Sequence, residues 1–230
     1  MIKKNYVSFV ALFMLLLLTS NSYSSGINKI VRTQMWNMEQ STNTLLQEGL
    51  AGSFFGKQGD WFILAGGANF PHGKPWEGGA KTFSKEIFVF SESNNQFQLI
   101  LASDNLPIGV AEGAYASTSK GVLCIGGQTP DGLSNNVLLL NYNGKDVTVE
   151  TYPELPFAVK NATAAIVSNR VYLLGGQKED GESTNQFLML DLNSLDKGWQ
   201  SMPNFPVAVS AATMSAQQDG EEISLFVFGG

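Results

Sequence analysis

Four segments of the chain end alike: "WFILAGG" (Trp61 to Gly67), "GVLCIGG" (Gly121 to Gly127), "RVYLLGG" (Arg170 to Gly176) and "SLFVFGG" (Ser224 to Gly230). Each is a short apolar run closed by two glycines. The pairs recur at spacings of about 50 to 60 residues, and self-similarity at such a period marks an array of one repeated supersecondary unit. Before each pair lies a small-residue segment with a turn: "GLAGSFFGKQGD", "VAEGAYASTSKG", "NATAAIVSNR" and "SAATMSAQQDGEE". After it come a polar loop, a second apolar run ("EIFVFS", "NVLLLNYN", "NQFLMLDLN") and a segment ending near proline ("FQLILASDNLP", "VTVETYPELP", "GWQSMPNFP"). Four short strands per unit make an all-β propeller blade. Glycine carries no Cβ and tolerates positive φ, so a pair closing the second strand lets the chain turn sharply where blades crowd together. A phosphate-binding loop would need a following helix and a Gly-Lys-Ser/Thr ending, and neither follows any of the four pairs.

The ends divide the chain further. Lys3 and Lys4 precede an apolar run from Val7 to Leu18, with small residues Ser22 and Ser24 after it, which predicts a secretory signal peptide over residues 1–24. The run is shorter than the roughly 20 residues needed to span a bilayer. Residues 25–46 form an N-terminal segment in which "KIVRTQMWNMEQ" (Lys29 to Gln40) places Trp36 as Trp199 stands in "GWQSMPNFP"; it reads as a fourth strand that closes the ring without a blade of its own. Residues 47–230 form an incomplete propeller, about three and a half blades, stopping after the second strand of the fourth unit.

Composition narrows the partners. Removing Lys3 and Lys4 leaves 12 basic against 20 acidic side chains, a net charge of about −8, which argues against nucleic acid and against a membrane partner once the signal is removed. Cys124 is the chain's one cysteine; within "GVLCIGG" it is expected to be a buried structural thiol with no disulfide. His72 is the one histidine, and a catalytic zinc asks for three protein ligands, so no metal is expected. "QKEDGES" lacks the regular oxygen spacing of a calcium loop and reads as a solvated turn.

"EGLAGSFFG", "LAGGANFPHGKPWEGGAK", "EIFVF" and "VLCIGG" resemble the kelch propellers known as cyclically permuted mutarotases, relatives of the bacterial N-acetylneuraminate epimerases. The likeness runs from about Trp36 to Gly230, and its most specific element is the loop from Leu64 to Lys81. The resemblance implies a six-bladed ring in a periplasmic or secreted protein that interconverts the α and β anomers of N-acetylneuraminate without a cofactor. The family's acid/base glutamate and its arginine partner lie in a Gly-Glu-Ala-Lys-type loop. The loops after the glycine pairs here begin "ANFPHG", "QTPDG" and "QKEDG", so no catalytic residue is carried over, and in the permuted order that motif is expected beyond Gly230.

Topology points to one rim for ligands. In an up-and-down blade the loops joining strands two and three share a rim with the connections between blades, and these are the longer, chemically richer loops here. Mutarotation needs one group to take the anomeric hydroxyl proton and another to protonate the ring oxygen; Glu112 and Glu77 are the weak catalytic candidates. A sugar acid's carboxylate asks for a cation, available in Lys81, Lys74 and Lys160. Asn69, Gln128, Asn161 and Gln177 are neutral hydrogen-bonding candidates, and Trp76 either stacks on a sugar or anchors its loop. Glu112 has a competing structural reading, hydrogen bonding to a neighbouring blade, and Glu77 a solvated ion pair with Lys74 or Lys81. The competing function is a non-catalytic propeller that binds a glycan or protein on the same rim. A copper-radical oxidase would need more histidines than the single one present. The oligomeric state stays open.

Overall fold

The computed structural model describes residues 44–93, 96–218 and 220–230; the expected signal peptide and the strand at Trp36 lie outside them. After a short helix, α1 (Thr44–Glu48), the chain forms a hairpin of β1 (Phe54–Gln58) and β2 (Trp61–Ala65). The enlarged loop that follows carries a two-stranded ribbon, β3 (Ala68–Asn69) with β4 (Thr82–Phe83). β5 (Ile87–Ser93) and β6 (Gln96–Ser103) then complete an antiparallel sheet in the order β1-β2-β5-β6. The second unit is β7 (Ala114–Thr118), β8 (Gly121–Thr129), β9 (Gly132–Tyr142) and β10 (Val147–Tyr152), again four strands in chain order. The third is β11 (Thr163–Val167), β12 (Arg170–Leu174), β13 (Phe187–Asp191) and β14 (Gln200–Ser201), and a further pair, β15 (Thr213–Gln218) and β16 (Ile223–Phe228), begins the fourth. The repeat read from the glycine pairs is therefore the blade repeat of a β-propeller. The first strands of successive blades, β1, β7, β11 and β15, neighbour one another along the inner edge.

Alternate residues of a strand face opposite sides of its sheet, and in the second blade both sides are covered by other blades. On β8 and β9, Val122, Cys124 and Leu140 pack with Phe54, Ile63, Ile87 and Val89 of the first blade. Leu123, Ile125, Val137 and Leu139 of the same strands pack with Val171, Leu173, Leu188 and Leu190 of the third. That double burial is why "VLCI" is apolar without alternation. Cys124 is buried and its thiol pKa is pushed up by desolvation, as a structural thiol's should be. The other face of the first blade buries Phe62, Phe88 and Phe90 with Leu46 of α1. The β15–β16 pair packs inward through Met214 against Leu174 and Val209, while Phe226 and Phe228 stack on its exposed side with ring centroids 6.4 Å apart.

The glycine pairs form the seams. Gly66, Gly126 and Gly175 have φ of 63°, 62° and 67°. A Cβ on each would lie 2.3, 2.5 and 2.3 Å from the carbonyl oxygens of Val110, Val159 and Val209 on the following connection. The second glycine of each pair, Gly67, Gly127 or Gly176, donates its N–H to that same oxygen at 2.8 Å. The pair thus lets two main chains touch where blades meet, and the close approach excludes any side chain. Farther out, Trp199 pins the third blade by donating its indole N–H to the carbonyl of Pro153 at 2.8 Å.

Candidate functional site

Just before each inner strand, one residue turns left-handed: Gly52 (φ 66°), Glu112 (63°), Asn161 (54°) and Ala211 (56°). Their main chains form a circumferential relay. The N–H of Glu112 donates to the carbonyl of Gly52 at 2.8 Å, that of Asn161 to Glu112 at 2.6 Å, and that of Ala211 to Asn161 at 2.8 Å. Left-handed conformations cost L-residues roughly 1–2 kcal/mol each, so the relay holds Glu112, Asn161 and Ala211 against their local preference. The residue preceding each of the first three turns pairs with the residue following a glycine pair: Ala51 with Ala68, Ala111 with Gln128, Lys160 with Gln177. This bridge brings the loops after the second strands to the same rim as the connections between blades, as the topology predicts.

On that rim the side chains of three blades meet at Glu112. Lys81, at the end of the enlarged first-blade loop, donates to Glu112 Oε1 in an ion pair. Lys160, at the entry to the third blade, lies 3.1 Å from Glu112 Oε2 and donates to Gln128 Oε1 of the second blade at 3.1 Å. The three charged side chains are 29, 25 and 22% exposed for Lys81, Glu112 and Lys160, so the cluster is partly desolvated yet reachable. Burial pushes the Glu112 carboxyl up, but hydrogen bonds and charge from Lys81 and Lys160 outweigh it and hold the group below the ordinary glutamate value. Two ammonium groups against one carboxylate leave a net positive charge here, in a chain of formal charge −6.

The other residues singled out in the sequence make contacts of their own and do not join this cluster through their side chains. Asn69 donates from Nδ2 to Glu48 Oε2 at 3.2 Å. Gln177 donates from Nε2 to the Gly181 carbonyl at 2.7 Å, bracing its own loop. Asn161 enters the relay through its main chain. Glu77 accepts from the Lys74 N–H at 3.3 Å and closes the turn Pro75–Glu77, so its carboxylate braces its own loop's main chain. Trp76 on that turn is 77% exposed, with the Lys74 ammonium 5.4 Å from its ring centroid; it does not anchor the loop to the blades. His72 is exposed on the same loop. The acidic turn of the third blade reaches across a seam, Glu179 accepting from the Leu133 N–H at 2.7 Å.

Sequence reasoning did not single out Gly52. A Cβ there would sit 2.9 Å from Glu112 N and 3.0 Å from Glu112 Cγ, so the glutamate's stem lies directly against this glycine. The signal was available in the repeats: aligned before the inner strands, Gly52, Glu112, Asn161 and Ala211 fall at one position, and glycine and asparagine are the residues that most readily turn left-handed.

No family model matches the sequence. Over 114 residues the chain is 39% identical to the N-acetylneuraminate epimerase of Vibrio cholerae and 34% identical to that of Brucella suis, a match covering 45% of this chain and 28% of each relative. The N-acetylneuraminate epimerase of Haemophilus influenzae is 32% identical over 114 residues, covering 45% of this chain and 29% of the relative. The matched part of the chain thus spans under a third of the length of these curated relatives. Among solved structures, that of YjhT superimposes with a TM-score of 0.57 at 13% identity, covering 78% of this chain and 69% of that one; the likeness is one of fold, a kelch-type β-propeller. Sequence and architecture together make this chain a kelch-type β-propeller related to the bacterial N-acetylneuraminate epimerases.

Proposed function

We propose that the whole protein is a mutarotase that interconverts the α and β forms of N-acetylneuraminate, acting outside the cytoplasm after residues 1–24 direct its export. The observation that carries the reading is the match to curated N-acetylneuraminate epimerases, and the cationic cluster at the rim suits a sugar acid. In the reaction a base takes the proton of the anomeric hydroxyl, the carbonyl forms as the bond to the ring oxygen breaks, and an acid protonates that oxygen. Rotation about the freed bond and readdition to the other carbonyl face give the second anomer, so atoms balance without any redox cofactor. On this reading the sugar binds at the rim around Glu112, with Trp76, Asn69, Gln128, Asn161 and Gln177 as its candidate contacts.

The test is anomer equilibration followed by proton NMR, starting from the α form freshly released from a glycoside. The whole protein should shorten the relaxation to equilibrium in proportion to its concentration. Relaxation at the buffer rate would refute the mutarotase reading; tight sugar binding with no acceleration would instead identify a non-catalytic glycan-binding propeller.

A further inference from the structure

We propose that Lys81 and Lys160 are the subsite for the substrate's carboxylate, and that Glu112 is the positioning residue that holds the two lysines in place rather than the acid or base of ring opening. The inference rests on the sugar-acid reading above and assigns this cluster a division of labour.

Charge comes first. Glu112 answers only one of the two ammonium groups, so the cluster keeps the field of one cation, suited to a monoanion. Donor count comes second. An ammonium has three N–H donors. Lys81 directs one to Glu112, and Lys160 directs two, to Glu112 and Gln128. Three N–H groups remain on the pair, enough to meet the oxygens of an incoming carboxylate with charge-assisted hydrogen bonds. Because one lysine comes from the first blade's loop and the other from the entry to the third, the glutamate between them fixes their spacing.

Glu112 is suited to that task and poorly suited to proton transfer. Each of its oxygens meets a lysine, which leaves it an ionised, weak base. Its main chain is locked by the relay, donating to Gly52 and accepting from Asn161. Its side chain lies against Gly52, where any Cβ would press on Glu112 N and Cγ. Gly52 is therefore the second positioning residue: its bareness sets where the glutamate, and through it both lysines, can lie.

The experiment measures binding of N-acetylneuraminate and of its neutral C1 methyl ester to the whole protein by calorimetry, alongside anomer equilibration. Wild type should bind the acid at least about tenfold more tightly than the ester, since a charge-assisted bond is at stake. Lys81→Met and Lys160→Met should each remove most of that preference, and Lys160→Arg, which keeps the charge, should retain more of it than Lys160→Met. Gly52→Ala should lower the preference in the same direction. Glu112→Gln should lose kcat/KM mainly through KM, whereas loss of a general acid or base takes about 10²–10⁴-fold from kcat. Denaturation midpoints of all variants identify any that fail to fold, and in that case the conservative pair, Lys160→Arg and Glu112→Gln, decides the outcome. Equal affinities for acid and ester, a preference untouched by both lysine substitutions, or a kcat collapse in Glu112→Gln would each overturn the proposal. If equilibration is accelerated while acid and ester bind alike, the subsite alone fails. If neither sugar binds and equilibration runs at the buffer rate, the sugar-acid reading fails and the subsite with it.

Discussion

Gly126→Ala tests the seam between the second and third blades. Gly126 is buried and left-handed, with φ of 62°. Alanine in that conformation costs roughly 1–2 kcal/mol on backbone grounds alone. Its Cβ would also stand 2.5 Å from the carbonyl oxygen of Val159, inside any permissible contact, so the two main chains must separate. That oxygen accepts the Gly127 N–H at 2.8 Å, and leaving these buried groups unpaired costs about 1–3 kcal/mol. The total expected for Gly126→Ala is about 2–5 kcal/mol. Gly59 supplies the control: its φ is 56°, and nothing lies within 4 Å of a Cβ built on it. Gly59→Ala should therefore lose only the backbone part, about 1–2 kcal/mol. Urea denaturation followed by tryptophan fluorescence measures both, with the slope unchanged if the unfolded state is unaffected. Equal losses for the two substitutions would show that the glycine is needed only for its dihedral angle, and the seam argument would fall.

Trp76→Ala should leave stability within about 0.5 kcal/mol, as expected for an exposed side chain away from the core, while weakening sugar binding measured by calorimetry; an equal affinity would remove Trp76 from the site. Native Cys124 should resist a thiol reagent such as Ellman's and react only on unfolding, because burial both hides it and pushes its thiol pKa up; modification at the rate of a free thiol would contradict the packing. Glu112 predicts a pH dependence of stability. Its folded pKa lies below the ordinary glutamate value, so the unfolded state takes up its proton first as pH falls. Its contribution is full above the unfolded value near pH 4.3 and drains away as pH drops through the folded one. Glu112→Gln should flatten that part of the urea-midpoint profile, and an unchanged profile would mean the ion pairs do not persist in solution.

The fold was legible in the sequence because its determinants are local and repeated. A glycine pair is the same chemical necessity at every seam, and the run "VLCI" carries the double burial of a strand packed on both sides. The site was legible only in part. Lys81, Glu112 and Lys160 were each visible as charged rim residues, but no short-range pattern pairs them, since Glu112 meets partners from two other blades. The left-handed turn at Glu112 had no signal of its own either, because it is imposed by the main-chain relay with Gly52 and Asn161 rather than by the glutamate. Trp76 could be read two ways from its setting between Pro75 and Gly78; only its exposure in three dimensions separates a loop anchor from a surface aromatic.

Repetition and its exceptions therefore carry different information in this chain. At the position before each inner strand the main chain turns left-handed four times, and three hydrogen bonds link the four turns from blade to blade through main-chain atoms alone. The residues there are accordingly free to differ, and they do: Gly52, Glu112, Asn161 and Ala211. A position whose backbone is fixed by the ring and whose side chain differs from blade to blade is where a propeller can acquire chemistry without altering its fold. The enlarged loop that supplies Lys81 is the matching exception on the first blade, the longest of the turns that follow a glycine pair. Glu112 stands where these two departures meet, against the one ring position, Gly52, that leaves it room. The architecture thus places the cluster by the same main-chain seam that holds the blades together, so Gly52→Ala should disturb the site through Glu112 and Gly126→Ala should cost stability first.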